Sequence, residues 1–190
     1  MSSTLTPCSS GQSPRFDVFG NTITDFVGRK TELGDIDRHF SKASNDRPRI
    51  FSILGFPGEG KTRLAQEFCH KSQQKYRGMY WINAKSDMTA LHSFVRIANA
   101  LGLGKEEVVN MDPFRSVRLV DPELKLWSER WLMVFDSYDQ PEKFPDIKRL
   151  IPPGIVQGFP CCQMPANLRS KVEEVTSFSQ AVVMIYRNLD

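Results

Sequence analysis

Apolar residues along this chain follow two spacings, and each predicts a different kind of element. Leu33, Ile36 and Phe40 recur three and four apart within residues 29–42, the period of one helical face. Residues 49–54 (RIFSIL) form a short β-prone run, which the glycines and proline of residues 55–60 interrupt. Leu64, Ala65, Phe68 and Cys69 then lie on one face of a helix reaching to about residue 74. Residues 79–83 (MYWIN) predict a second strand. Residues 89–103 predict a second helix on the stripe Leu91, Phe94, Val95, Ala98 and Leu101, ended by Gly102 and Gly104. Pro113 and Pro122 break up residues 105–130, where Leu124 and Trp127 suit only a short helix. Residues 131–135 (WLMVF) are apolar throughout, as befits a strand covered on both faces.

Strands alternating with helices, one of them apolar at every position, argue for an α/β fold: a parallel sheet between two layers of helices. Thirteen of the first 24 residues are Ser, Thr, Pro or Gly, a composition that cannot repay the entropy of ordering, so residues 1–24 are expected to be a disordered tail. Residues 25–154 make the domain. Residues 155–179 read as an irregular insertion, or as a retained intron, with PCCQMP at its centre. Residues 180–190 open on a last apolar run (QAVVMIYR).

A total of 190 residues allows one domain with a tail. The net charge of +3 is too weak a field to condense on nucleic acid or an anionic membrane by charge alone, so neither is expected as a partner. The first 16 residues carry neither the basic nor the apolar segment of a secretory leader, which points to a cytoplasmic protein. Cys8, Cys69, Cys161 and Cys162 suit neither a disulfide framework nor the spacing of a zinc site. His39, His70 and His92 fall on separate expected helices without a paired carboxylate, and read as surface residues.

The strongest chemical signal is Gly55-Phe56-Pro57-Gly58-Glu59-Gly60-Lys61-Thr62, which matches G-x-x-x-x-G-K-[ST] between an expected strand and an expected helix. The glycines let successive backbone amides turn inward around phosphate oxygens, and the helix that follows points its positive end at them. Lys61 would reach the β- and γ-phosphates, and the Thr62 hydroxyl would ligate Mg²⁺. A second signal is Asp136, which closes the apolar run of residues 131–135 at the sheet edge where ligands sit in α/β folds. In a phosphate-loop protein such a carboxylate holds the metal opposite the Thr hydroxyl.

Five segments in order, Phe26-Val27-Gly28-Arg29, GFPGEGKTRLA, MYWINA, ALHSFVRIANALGL and WLMVFDSYDQPE, resemble the nucleotide-binding module of the NB-ARC/STAND class of signalling NTPases, found in NOD-like receptors. Fungal members look most similar, and the resemblance covers roughly residues 25–154. It implies a P-loop NTPase-type fold, here truncated, and an ADP/ATP-driven switch whose partners are nucleotide, other receptor modules or further copies of itself. It also implies roles for particular positions. Val27, Gly28 and Arg29 would lie against adenine and ribose. Gly55, Pro57, Gly58, Gly60, Lys61 and Thr62 would form the phosphate loop. Arg63 stands where many members carry a small hydroxyl residue at the α-phosphate. Thr62 and Asp136 would bind Mg²⁺, and Asp136 and Lys61 would serve any catalysis. Ser137 replaces the second acidic residue that many relatives use to polarise water, so slow or absent hydrolysis is expected. If residues 182–186 are the sensor strand, Arg187 is the γ-phosphate sensor and the strand lies between the phosphate-loop strand and the Asp136 strand. The competing readings are a working P-loop ATPase and a misspliced fragment acting at most as an interaction module.

Overall fold

A computed structural model describes residues 15–17, 26–41, 49–103, 113–127, 129–138 and 180–187. The expected insertion at 155–179, the remainder of the expected tail and Asp139, a second carboxylate three residues after Asp136, lie outside these residues. In chain order the elements are β1 (Arg15–Asp17), α1 (Lys30–Ser41), β2 (Arg49–Gly55), α2 (Lys61–Ser72) with a 3-10 turn at Gln73–Lys75, β3 (Gly78–Asn83), α3 (Asp87–Ala100), α4 (Pro113–Lys125), β4 (Trp131–Asp136) and β5 (Gln180–Arg187).

The five strands form one sheet in the order β1-β3-β4-β5-β2. β1, β3 and β4 pair in parallel, and β2 points the same way because β5 is antiparallel to both β4 and β2. The carboxyl ends of β2, β3 and β4, at Gly55, Asn83 and Asp136, therefore come to one edge. This is a parallel α/β sheet flanked by helices, with β5 alone among the described strands running counter.

Side chains alternate across β3 and β4 and feed two cores. Met79, Trp81, Leu132 and Val134 meet α1 and α2 through Ile36, Phe40, Leu64 and Phe68. Tyr80, Ile82, Trp131, Met133 and Phe135 meet α3 and α4 through Leu91, Phe94, Ile97, Val120 and Leu124. Residues 131–135 are each at most 1% exposed, which is why this strand is apolar at every position. Burial of a side chain of this size contributes about 1.5–3 kcal/mol, so β3 and β4 are the anchored centre of the molecule.

Three details differ from expectation. Residues 15–17, read as tail, pair with Gly78, Met79 and Tyr80 at the outer edge of β3, since an edge strand offers main-chain partners whatever the composition alongside it. α3 begins two residues early, because Ser86 caps it: the Ser86 hydroxyl accepts from the Thr89 amide while the Thr89 hydroxyl accepts from the Ser86 amide. α4 runs through Pro122 despite the lost amide. Pro113 at its first position suits the helix, and burial of Val117, Val120 and Leu124 offsets the ~3 kcal/mol that an interior proline costs.

Candidate functional site

The loop between β2 and α2 is built by two left-handed glycines, Gly58 at φ 83° and Gly60 at φ 77°, a conformation that costs other residues about 1–2 kcal/mol. Gly60 is the N-cap of α2, and no side chain caps it. The first helical bond runs from the Leu64 amide to the Gly60 carbonyl, so the amides of residues 61–63 have no partner within the helix, the arrangement that receives an anion. Lys61 is only 4% exposed, and its ammonium donates to the Phe56 carbonyl at 2.5 Å across the loop.

Across the sheet edge, the Thr62 hydroxyl donates to Asp136 Oδ1 at 2.8 Å, joining positions 74 residues apart. The Ser137 amide donates to the same oxygen at 2.9 Å, held there by a left-handed Ser137 at φ 61°. Asp136 is half-buried. A hydroxyl and a carboxylate in contact beside an uncapped helix end are the donor set a hard cation takes, so these residues fit Mg²⁺ bound next to phosphate.

The Arg29 guanidinium donates to the Glu59 carbonyl, which ties the segment of Val27, Gly28 and Arg29 to the loop. Gly28 at φ 86° and Arg29 at φ 50° make the turn there, and Val27 is 89% exposed. Arg63 is exposed on the first turn of α2, and Pro57 is exposed on the loop. Thus Val27, Gly28, Arg29, the loop residues, Thr62, Arg63 and Asp136 gather at one edge.

Arg187 does not join them. β5 is antiparallel, so its register sets Gln180 against Gly55 and Arg187 against Trp131, at the opposite end of β4 from Asp136. Five residues of strand separate those ends, roughly 17 Å at ~3.3 Å per residue. The last strand takes the place between β2 and β4, and its direction sets the Arg187 backbone at the end of β4 away from the loop.

A cavity of about 420 Å³ opens beside the Thr62–Asp136 pair, lined among others by Gln66, Asn83, His92, Arg96 and Ser137. The sequence reading passed over Gln66, Asn83 and Arg96. Asn83 ends β3 as Asp136 ends β4, and the two are register partners, a signal that the endings of two adjacent parallel strands could have supplied. His92 was read as a surface residue. It is exposed, on the wall of that cavity.

The sequence profile of the NB-ARC domain matches residues 29–154. The chain belongs to the NB-ARC domain family. This makes it a nucleotide-binding module of a signalling class, and the matched span contains both the glycine loop and Asp136. Similar proteins include disease resistance protein RPP8 of Arabidopsis thaliana, 27% identical over 131 residues that make up 68% of this chain and 14% of that protein. Disease susceptibility protein LOV1 of the same plant is 27% identical over 140 residues, 71% of this chain and 15% of that protein. The chain thus spans about one seventh of the length of the curated relatives it matches. No solved structure matches it. Among the described residues no helix of this NB-ARC chain is long and apolar enough to cross a membrane.

Proposed function

We propose that this chain is the nucleotide-holding part of a STAND-type, NOD-like receptor switch, binding ADP or ATP with Mg²⁺ in the cytoplasm and hydrolysing slowly or not at all. The observation that carries the reading is the 2.8 Å contact between Thr62 and Asp136 beside the uncapped start of α2. The amides of the 55–62 loop would take the phosphates, with Pro57 stiffening the turn and Lys61 releasing the Phe56 carbonyl to face them. Arg63, on the first helical turn, would meet the α-phosphate. Val27, Gly28 and Arg29 would wall the base and ribose. Thr62 and Asp136 would hold Mg²⁺, which when bound supplies positive charge against the phosphate oxygens.

Ser137 favours binding over turnover, because the position directly after Asp136 carries a hydroxyl in place of a carboxylate that could orient a water. The partners that fit a module of this length are the remaining modules of a longer receptor, or further copies of the same chain. An active ATPase is the second reading, favoured by the cavity beside Asp136, which has room for water and carries His92 on its wall.

Calorimetric titration of the full chain with ADP and ATP in Mg²⁺, beside Lys61→Ala, tests the reading. Hydrogen bonds to a charged group contribute about 1.5–3 kcal/mol, so the variant should bind at least about tenfold more weakly. Wild type with no more affinity than Lys61→Ala would sink the proposal. Phosphate release above that of the variant would favour the ATPase.

A further inference from the structure

We infer that Glu59 is a resident anion of the phosphate loop: its carboxylate occupies one of the loop's own anion-binding amides, and a ligand phosphate has to displace it. The inference rests on the nucleotide-binding reading and concerns what sets the affinity of that site. The Phe56 amide donates to Glu59 Oε2 at 2.9 Å. A Cβ built on Gly55 would stand 2.1 Å from that same oxygen, so the carboxylate folds back against the bare α-carbon of Gly55, into the space the loop keeps open.

Other bonds hold this arrangement closed. The Glu59 amide donates to the Phe56 carbonyl at 3.3 Å, Lys61 Nζ donates to that carbonyl at 2.5 Å, and Arg29 donates to the Glu59 carbonyl. Both main-chain groups of Phe56 are therefore engaged from within the loop. The cation that the motif provides for phosphate is bonded to a neutral carbonyl, and the negative charge in the loop belongs to a side chain.

An amide N–H directed at one carboxylate oxygen is not open to a phosphate oxygen, and the two anions repel at contact range. Glu59 is exposed and can swing into solvent without leaving a void, so it is a removable occupant and not a permanent block. Oxyanions that make several loop contacts at once, such as the diphosphate of ADP or free pyrophosphate, should displace it more readily than a single phosphate. Glu59 thereby sets a threshold on loop occupancy.

The test is calorimetric binding of ADP and pyrophosphate to wild type, Glu59→Gln and Glu59→Ala, with the exchange rate of the Phe56 amide proton followed by NMR in the ligand-free proteins. Both variants should bind both ligands more tightly, by about threefold to thirtyfold for a displaced charge-assisted bond at an exposed position, and Ala more than Gln because the amide of Gln can still accept from Phe56. The Phe56 proton should exchange faster in Glu59→Ala than in wild type. Wild type that binds in a Lys61-dependent way while the Glu59 variants bind no tighter overturns this inference alone. Tighter binding without faster Phe56 exchange overturns it too, since that is the mark of repulsion at a distance. No binding by wild type or by any variant removes the nucleotide-binding reading and this inference together.

Discussion

Asp136→Asn separates the two jobs of that carboxylate, holding its neighbours and carrying charge. Asp136 Oδ1 accepts from the Thr62 hydroxyl at 2.8 Å and from the Ser137 amide at 2.9 Å. Asn keeps an oxygen at that place, so both bonds persist in weaker form. Charged hydrogen bonds contribute about 1.5–3 kcal/mol and neutral ones about 0.5–1.5, so two half-buried bonds lose together on the order of 1–2 kcal/mol. For a chain of this length that lowers Tm by roughly 2–8 °C. The metal loses far more. A pair of unit charges 4 Å apart interacts by about 4 kcal/mol at an effective dielectric of ~20, and a divalent ion doubles that. Even a quarter of that sum, after screening at an open edge, exceeds a tenfold change. ADP titrations in Mg²⁺ and in EDTA should therefore show the Mg²⁺ enhancement falling at least about tenfold in Asp136→Asn, with EDTA affinity changed less than about threefold. Full retention of the enhancement, or equal losses in both buffers, would refute the metal role.

Gly78→Ala should destabilise the chain by about 1–3 kcal/mol, read as a lower urea midpoint: its Cβ would meet Tyr80 Oη at 2.7 Å and Trp127 Cζ3 at 2.9 Å, both buried, and an unchanged midpoint would show that this corner is loosely packed. Cys69 is fully buried, and burial pushes its thiol from an ordinary 9.0 up to about 12. Its contribution to stability is then fully present below about 9 and declines as pH rises toward 12, because only the unfolded chain can ionise there. Denaturant curves at mildly and strongly alkaline pH, compared with Cys69→Ala, check this, and an identical pH trend in the variant would contradict it. With Cys8, Cys161 and Cys162 replaced by Ser, thiol reagents at neutral pH should modify Cys69 no faster than the chain opens; immediate labelling would be incompatible with its burial.

The parts of the fold visible from the amino-acid order were those in which one local period agreed with the tertiary demand. The run at residues 131–135 is apolar at every position because helices cover both faces of β4, and the stripe through Leu91, Phe94 and Ala98 is the buried face of α3. α4 was hidden by Pro122, whose local cost is overridden by Val117, Val120 and Leu124, and a window of neighbours carries no record of that burial. β1 was hidden because three residues have no period, and their partner is an edge more than sixty residues away. The direction of β5 was hidden for a different reason: an apolar run pairs equally well either way round, so only the register could reveal that Arg187 lies at the end of β4 away from Asp136. At the site, the glycine spacing marked the loop, and Asp136 was readable as a strand ending. The folding of Glu59 back onto Phe56 was not, because it depends on a rotamer and on the absent Cβ of Gly55.

Among the described residues β2 lies at the border of the sheet, and its main chain reaches the parallel strands by way of β5. The loop carrying Lys61 and Thr62 is thus moored, on its strand side, to a segment that enters the chain more than a hundred residues later. On the proposed nucleotide-binding reading, anything that strengthens the meeting of Thr62 with Asp136 also favours β5 in its slot, and by reciprocity whatever pulls β5 out would weaken the grip on phosphate to the same degree. A protein that captured residues 180–187 would then act as a release factor for the nucleotide without ever touching it.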